Sequence, residues 1–166
     1  MKKRALLCVL VITLLVVACF SWAVSARASS TTDSPSVGGA GTSIVEGGTG
    51  APSFHPVKTT FAFHWSKGQG DFECLALTPS TAPGAAGSGN FDTNVMYVTG
   101  PITSASIKGS TAVFKGTASV TGLGAGSDVP FTATATAGGP GTTLVLEVSG
   151  LTFREIVLEG QITVGK

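Results

Sequence analysis

The chain has 166 residues, of which 43% are hydrophobic and only 11% are charged. Ten basic and nine acidic side chains give a formal net charge of +1. The charge is therefore too nearly balanced to indicate a nucleic-acid partner or attraction to an anionic membrane surface.

Residues 1–28 have the features of a targeting segment. Residues 2–4 are basic, residues 5–24 are almost entirely apolar, and residues 26–28 (Ala-Arg-Ala) supply small side chains at positions −3 and −1 of a cleavage site. We therefore expect an N-terminal signal helix that is cleaved after Ala28. A retained anchor is the alternative, because about 20 apolar residues are long enough to span a bilayer.

A second alternative concerns Cys19. Residues 16–19 (Val-Val-Ala-Cys) resemble a bacterial lipobox, and lipidation of Cys19 would anchor the protein to a membrane without changing its fold. Because Cys8 and Cys19 lie in the signal segment, cleavage after Ala28 leaves Cys74 as the only cysteine, and no intrachain disulfide is then possible. Cleavage after Ala28 leaves six basic and nine acidic residues, a net charge of −3.

The mature segment divides into two parts. Residues 29–53 are rich in Ser, Gly and Pro, with Ile44 and Val45 as an isolated apolar pair able to add a short edge strand. Such a composition buries too little to offset its ordering entropy, so it predicts a flexible linker. Residues 54–166 are predicted to form a single all-β domain.

Apolar and polar residues alternate with period two throughout that domain, which is typical of strands buried on one face. Glycine-rich turns separate the strands. We expect about eight short antiparallel strands, in a β-sandwich or a small closed barrel. The residues predicted to share a face are Val57, Thr59, Phe61, Phe63 and Trp65; Ala112, Phe114, Gly116, Ala118 and Val120; Val129, Phe131, Ala133 and Ala135; Leu144, Leu146 and Val148; and Ile156, Leu158, Gly160, Ile162 and Val164.

Strand and turn motifs follow one another in a set order over about residues 61–164, namely residues 61–65 (FAFHW), 89–100, 102–122, 131–150 and 159–164 (EGQITV). Their order resembles the post-COAP domain of bacterial cell-surface and secreted proteins. The resemblance implies a β-rich accessory module with no catalytic residues to carry over.

Few residues in the mature chain are suited to catalysis or to binding a transition metal. A symmetric hairpin around residues 67–69 would place His64 and Cys74 diagonally on one face of the sheet, where they could act in a hydrolase or bind a transition metal. The simpler interpretation is that Cys74 is a small buried apolar residue and His64 an outward strand residue.

Two groups of oxygen-bearing side chains also have suggestive spacings. Asn90, Asp92 and Asn94 lie at i, i+2 and i+4, as in a calcium loop, although an Asn- and Asp-rich turn explains the same pattern. Glu155 and Glu159 are four residues apart on a predicted strand, about 13 Å along it, which is too far for a glycosidase pair. We expect both glutamates on a solvated face.

These observations favour an exported, non-catalytic domain at the cell surface or outside the cell. Its role would be accessory, adhesive or structural, with a protein, glycan or cell-envelope partner and no cofactor. The alternatives are a small-ligand carrier with a hollow barrel, which needs a cavity of several hundred Å³, and a hydrolase that uses His64 and Cys74.

Overall fold

The structure, a computed structural model, describes residues 34–47, 57–80 and 91–165. The predicted signal segment, its cleavage site and Cys19 lie outside these residues. No helix in the described ranges is long and apolar enough to cross a membrane. The strands are β1 (Ser36–Gly47), β2 (Lys58–Ser66), β3 (Gln69–Ser80), β4 (Phe91–Lys108), β5 (Thr111–Gly122), β6 (Gly126–Thr136), β7 (Thr143–Val148) and β8 (Leu151–Gly165).

The eight strands form one closed antiparallel barrel in sequential order, with β8 paired back onto β1. The predicted all-β class and strand number are confirmed, and the barrel replaces the sandwich alternative. Closure leaves every strand paired on both sides, so no edge is exposed. Eight strands enclose an interior that side chains can fill or that can hold one small ligand. The strands are not uniformly short, since β4 has 18 residues.

The linker prediction is wrong for residues 36–47, which form β1. This strand pairs with β2 along nine positions and with β8 on its other side. Its small residues lack the apolar content expected of a strand, yet they suit this position. Phe61 and Phe63 project into the barrel opposite Gly41 and Gly39, so β1 contributes space and backbone hydrogen bonds rather than bulk.

Five interior aromatic residues each stand directly opposite a glycine on the neighbouring strand. At Gly39 and Gly116 the ring of the paired residue, Phe63 or Phe131, lies within 3 Å of where a Cβ would stand, which is how aromatic side chains compensate for glycine in designed sheets. The rings also contact one another, with centroids 4.9 Å apart for Phe63 and Phe114. The five pairs are Phe61–Gly41, Phe63–Gly39, Trp65–Gly70, Phe72–Gly100 and Phe131–Gly116.

The predicted faces of β2, β5, β6 and β7 agree with the observed burial, and β8 agrees only in part. Ile162 is buried as predicted, whereas Leu158 is 46% exposed and Val157 faces the core. The register of β8 against β1 shifts between Thr42 and Ser43. This bulge reverses the alternation along β8.

We expect Gly116→Ala to destabilise the barrel by about 2–4 kcal/mol. A Cβ at this position would lie 2.0 Å from the backbone oxygen of Pro101 and 2.6 Å from a ring carbon of Phe131. Urea denaturation measures the loss. Gly47→Ala is the matched control, since a Cβ there has no neighbour within 4 Å. Equal stability of the two variants would contradict the close-approach argument.

Candidate functional site

Three polar side chains are buried together at one end of the barrel interior. Ser43 on β1, Thr59 on β2 and Glu155 on β8 are each at most 1% exposed, and we call them the polar cluster. Ser43 and Thr59 are direct cross-strand partners, and the bulge between Thr42 and Ser43 brings β1 into register with the half of β8 that carries Glu155. The cluster therefore joins the three strands at which the sheet closes.

Both hydroxyl groups converge on one carboxylate oxygen. Ser43 Oγ donates to Glu155 Oε2 at 2.5 Å, and Thr59 Oγ1 donates to the same oxygen at 2.6 Å. The two hydroxyl groups also contact each other. The second oxygen, Glu155 Oε1, is buried and has no hydrogen-bond partner. One oxygen of this carboxyl group therefore accepts two hydrogen bonds, and the other accepts none.

Burial dominates the electrostatics of the cluster. Desolvation raises the pKa of Glu155, while the hydrogen bonds from Ser43 and Thr59 lower it in part. Desolvation also raises the pKa of Cys74, which is raised further by Glu155 and lowered by a hydrogen bond with Thr59. Because the thiolate is the reactive form of cysteine, Cys74 is a poor nucleophile in this environment.

A small cavity of about 10 Å³ adjoins the cluster. This volume is comparable to that needed for one water molecule and is far below the several hundred Å³ of a ligand pocket. Such a space does not fit the hollow carrier considered from the sequence. The cavity is lined by Thr59, Cys74, Ala76, Met96, Val98, Leu146, Phe153 and Glu155.

The predicted juxtaposition of His64 and Cys74 is wrong. The turn between β2 and β3 consists of Lys67 and Gly68, so His64 pairs with Asp71 and Cys74 pairs with Phe61. Shifting a hairpin register by one residue moves a side chain to the opposite face. His64 is therefore exposed on the outside of the barrel, whereas Cys74 is buried inside.

The candidate calcium ligands are only partly described. Asn90 lies outside the described residues, and the backbone from Phe91 is an extended strand rather than a loop. In that strand Asp92 pairs with Pro79 and Asn94 pairs with Leu77. Among the described residues, no group of three or more His, Cys, Asp or Glu side chains is placed to hold a metal ion.

The expectation that Glu155 and Glu159 share a solvated face is wrong for Glu155. Glu159 is exposed, but Glu155 is fully enclosed in the polar cluster. The bulge at Leu158, the extra residue of β8, separates Glu155 and Glu159 onto different faces, because one extra residue reverses the alternation. The pair therefore has no common substrate position.

The outer wall formed by β1 to β4 carries two shallow depressions of about 370 and 380 Å³. Glu73 lines both of them, and Tyr97 donates a hydrogen bond to its carboxylate at 3.0 Å. His64 and Asp71 line the first depression, and Leu75 lines the second. We call this surface the β1–β4 wall.

Comparison of the chain with protein-family models, curated proteins and solved structures found no match.

We expect Glu155→Gln to change how stability depends on pH. The folded-state pKa of Glu155 is raised above its ordinary value of 4.5, so the carboxyl group's stabilising contribution is present below that value. It is lost as the pH rises through the folded-state pKa. Relative to the unsubstituted protein, Glu155→Gln should therefore gain stability as the pH rises above 4.5.

Urea denaturation across this pH range measures the effect. Glu159→Gln is the control, because it removes an exposed carboxylate from the same strand. A stability difference between Glu155→Gln and the unsubstituted protein that does not vary with pH would show that burial does not perturb Glu155.

Proposed function

We propose that this protein is an exported, non-catalytic β-barrel module that binds a partner through its outer wall. The observation that carries the proposal is the filled interior. Phe61, Phe63, Phe72, Phe114 and Phe131 are all at most 5% exposed and occupy the space where a carrier would hold its ligand. Binding is then left to the outside of the barrel.

We assign this role to the β1–β4 wall, where two depressions share Glu73, whereas the wall formed by β6, β7 and β8 carries one depression of about 410 Å³. The two depressions of the β1–β4 wall are each more than thirty times larger than the interior cavity near Glu155. Their polar groups include Glu73, Asp71, His64 and the hydroxyl group of Tyr97, while Ala40 and Ala62 keep the first depression open. Such a mixture of small, apolar and polar groups suits a protein, glycan or cell-envelope partner.

Export is supported by the sequence of residues 1–28, and a surface or secreted role by the resemblance to the post-COAP domain. Both are features of the sequence pattern. A freely secreted protein needs the signal segment to be removed, whereas a lipid-anchored protein would begin at Cys19.

Mass spectrometry of the mature N-terminus, after expression of the full chain in a bacterial host, tests export. We expect cleavage after Ala28 and a free amino terminus at Ser29. Replacing Ala28 with Arg should block this cleavage, because signal peptidase requires a small residue at position −1. A diacylglyceryl group on Cys19 would instead favour an anchored protein, and an intact Met1 would favour a retained helix.

Co-sedimentation of the protein with the envelope fraction of the host tests the binding surface. We expect Glu73→Lys to reduce retention about tenfold, because it reverses a charge shared by both depressions. Glu159→Lys is the charge-matched control, since Glu159 is exposed on β8 and lines neither depression of the β1–β4 wall. Equal retention of the two variants would contradict the assignment of binding to this wall.

A further inference from the structure

Two sulfur-bearing side chains line the cavity beside the polar cluster. Cys74 on β3 and Met96 on β4 both face it and are each 3% exposed. The register pairs Cys74 with Val98, and Met96 with Ala76. Cys74 and Met96 are therefore diagonal neighbours on the same face of adjacent strands, within reach of each other for long side chains.

The same cavity contains a polar atom that lacks a partner. Glu155 lines the cavity and is 1% exposed, and its Oε1 atom accepts and donates no hydrogen bond. A buried polar atom without a partner is costly and calls for an explanation such as a bound ion or water. The volume of about 10 Å³ restricts that occupant to a single small particle.

The ligand atoms select the kind of ion. A thiolate and a thioether are soft donors, and together they favour Cu(I) over hard cations that require oxygen ligands.

We propose that this cavity binds one Cu(I) ion through Cys74 Sγ and Met96 Sδ, with Glu155 as its polar neighbour. On binding, the Cys74 thiol releases its proton to solvent and the sulfur forms a bond to the ion. The metal keeps its oxidation state, so no oxidant or reductant is needed. This site is independent of the β1–β4 wall, and either one can exist without the other.

The test uses the full chain carrying Cys8→Ser and Cys19→Ser, which leaves Cys74 as its one thiol. Cu(I) is titrated anaerobically in competition with a chromogenic Cu(I) chelator. We expect one equivalent of Cu(I) per chain. Adding Cys74→Ser should weaken binding by roughly 100-fold or more, and adding Met96→Leu by roughly tenfold, since loss of a metal ligand or of its support has effects of this size.

Met96→Leu conserves volume and should leave the fold intact, so it keeps the test valid if Cys74→Ser fails to fold. Glu147→Gln, on the outside of the barrel, is the control and should bind as the parent does. Saturating Cu(I) should also raise the thermal midpoint of the parent by roughly 5–10 °C, because the ion binds the folded state.

Two results would overturn the proposal. The first is the absence of Cu(I) uptake with an unchanged thermal midpoint, as expected if the cavity holds only water. The second is equal affinity in the parent and in both the Cys74→Ser and Met96→Leu variants, which would place the ion elsewhere. X-ray absorption of the loaded protein should show two sulfur ligands, and a shell of nitrogen and oxygen alone would also contradict the site.

Discussion

The main constraint on this structure is the small interior volume of an eight-stranded barrel. Large side chains on one strand fit there only where the neighbouring strand has small residues. Five aromatic residues stand opposite a glycine on the neighbouring strand, as in Phe131 opposite Gly116 and Phe63 opposite Gly39, whereas Phe114 stands between two alanines. The arrangement explains why β1, which has few large side chains, is nonetheless a full member of the sheet. It also explains the absence of a large hollow among the described interior residues, since the rings fill the space that the glycines leave.

The polar cluster differs from the part of the interior that the aromatic rings fill, because its side chains are polar and hydrogen-bonded. Ser43, Thr59 and Glu155 link β1, β2 and β8, so their hydrogen bonds span the seam where the first and last strands meet. A hydrophobic cluster at the same place would satisfy packing more simply and at lower desolvation cost. The retained carboxyl group, with one oxygen unpartnered, is the strongest departure from an apolar core in the described barrel.

Alternation of apolar and polar residues was sufficient to predict the strand class and the inward faces of β2, β5, β6 and β7. It failed where a single residue changes the register. The two-residue turn at Lys67 and Gly68 gives a hairpin register that places Cys74 and His64 on opposite faces, and the bulge at Leu158 brings Glu155 inside. The polar cluster was missed because its members are far apart in the chain, although Thr59 on an otherwise apolar face was a usable signal. Strand β1 was not predicted because strand propensity depends on the size of a residue's own side chain and not on the size of the side chain opposite it on the neighbouring strand.

Closure by β1 and β8 has a consequence for when the protein can fold. The hydrogen bond from Thr163 to the backbone of Gly38 joins residues 125 positions apart, and the seam forms only after the C-terminal strand is available. Contacts at such separation slow folding, because loop-closure entropy is lost before they form. A chain that still lacks its C-terminal strand therefore cannot close the barrel. Under the proposed export across a membrane as an extended chain, this topology would delay the native state until translocation is finished.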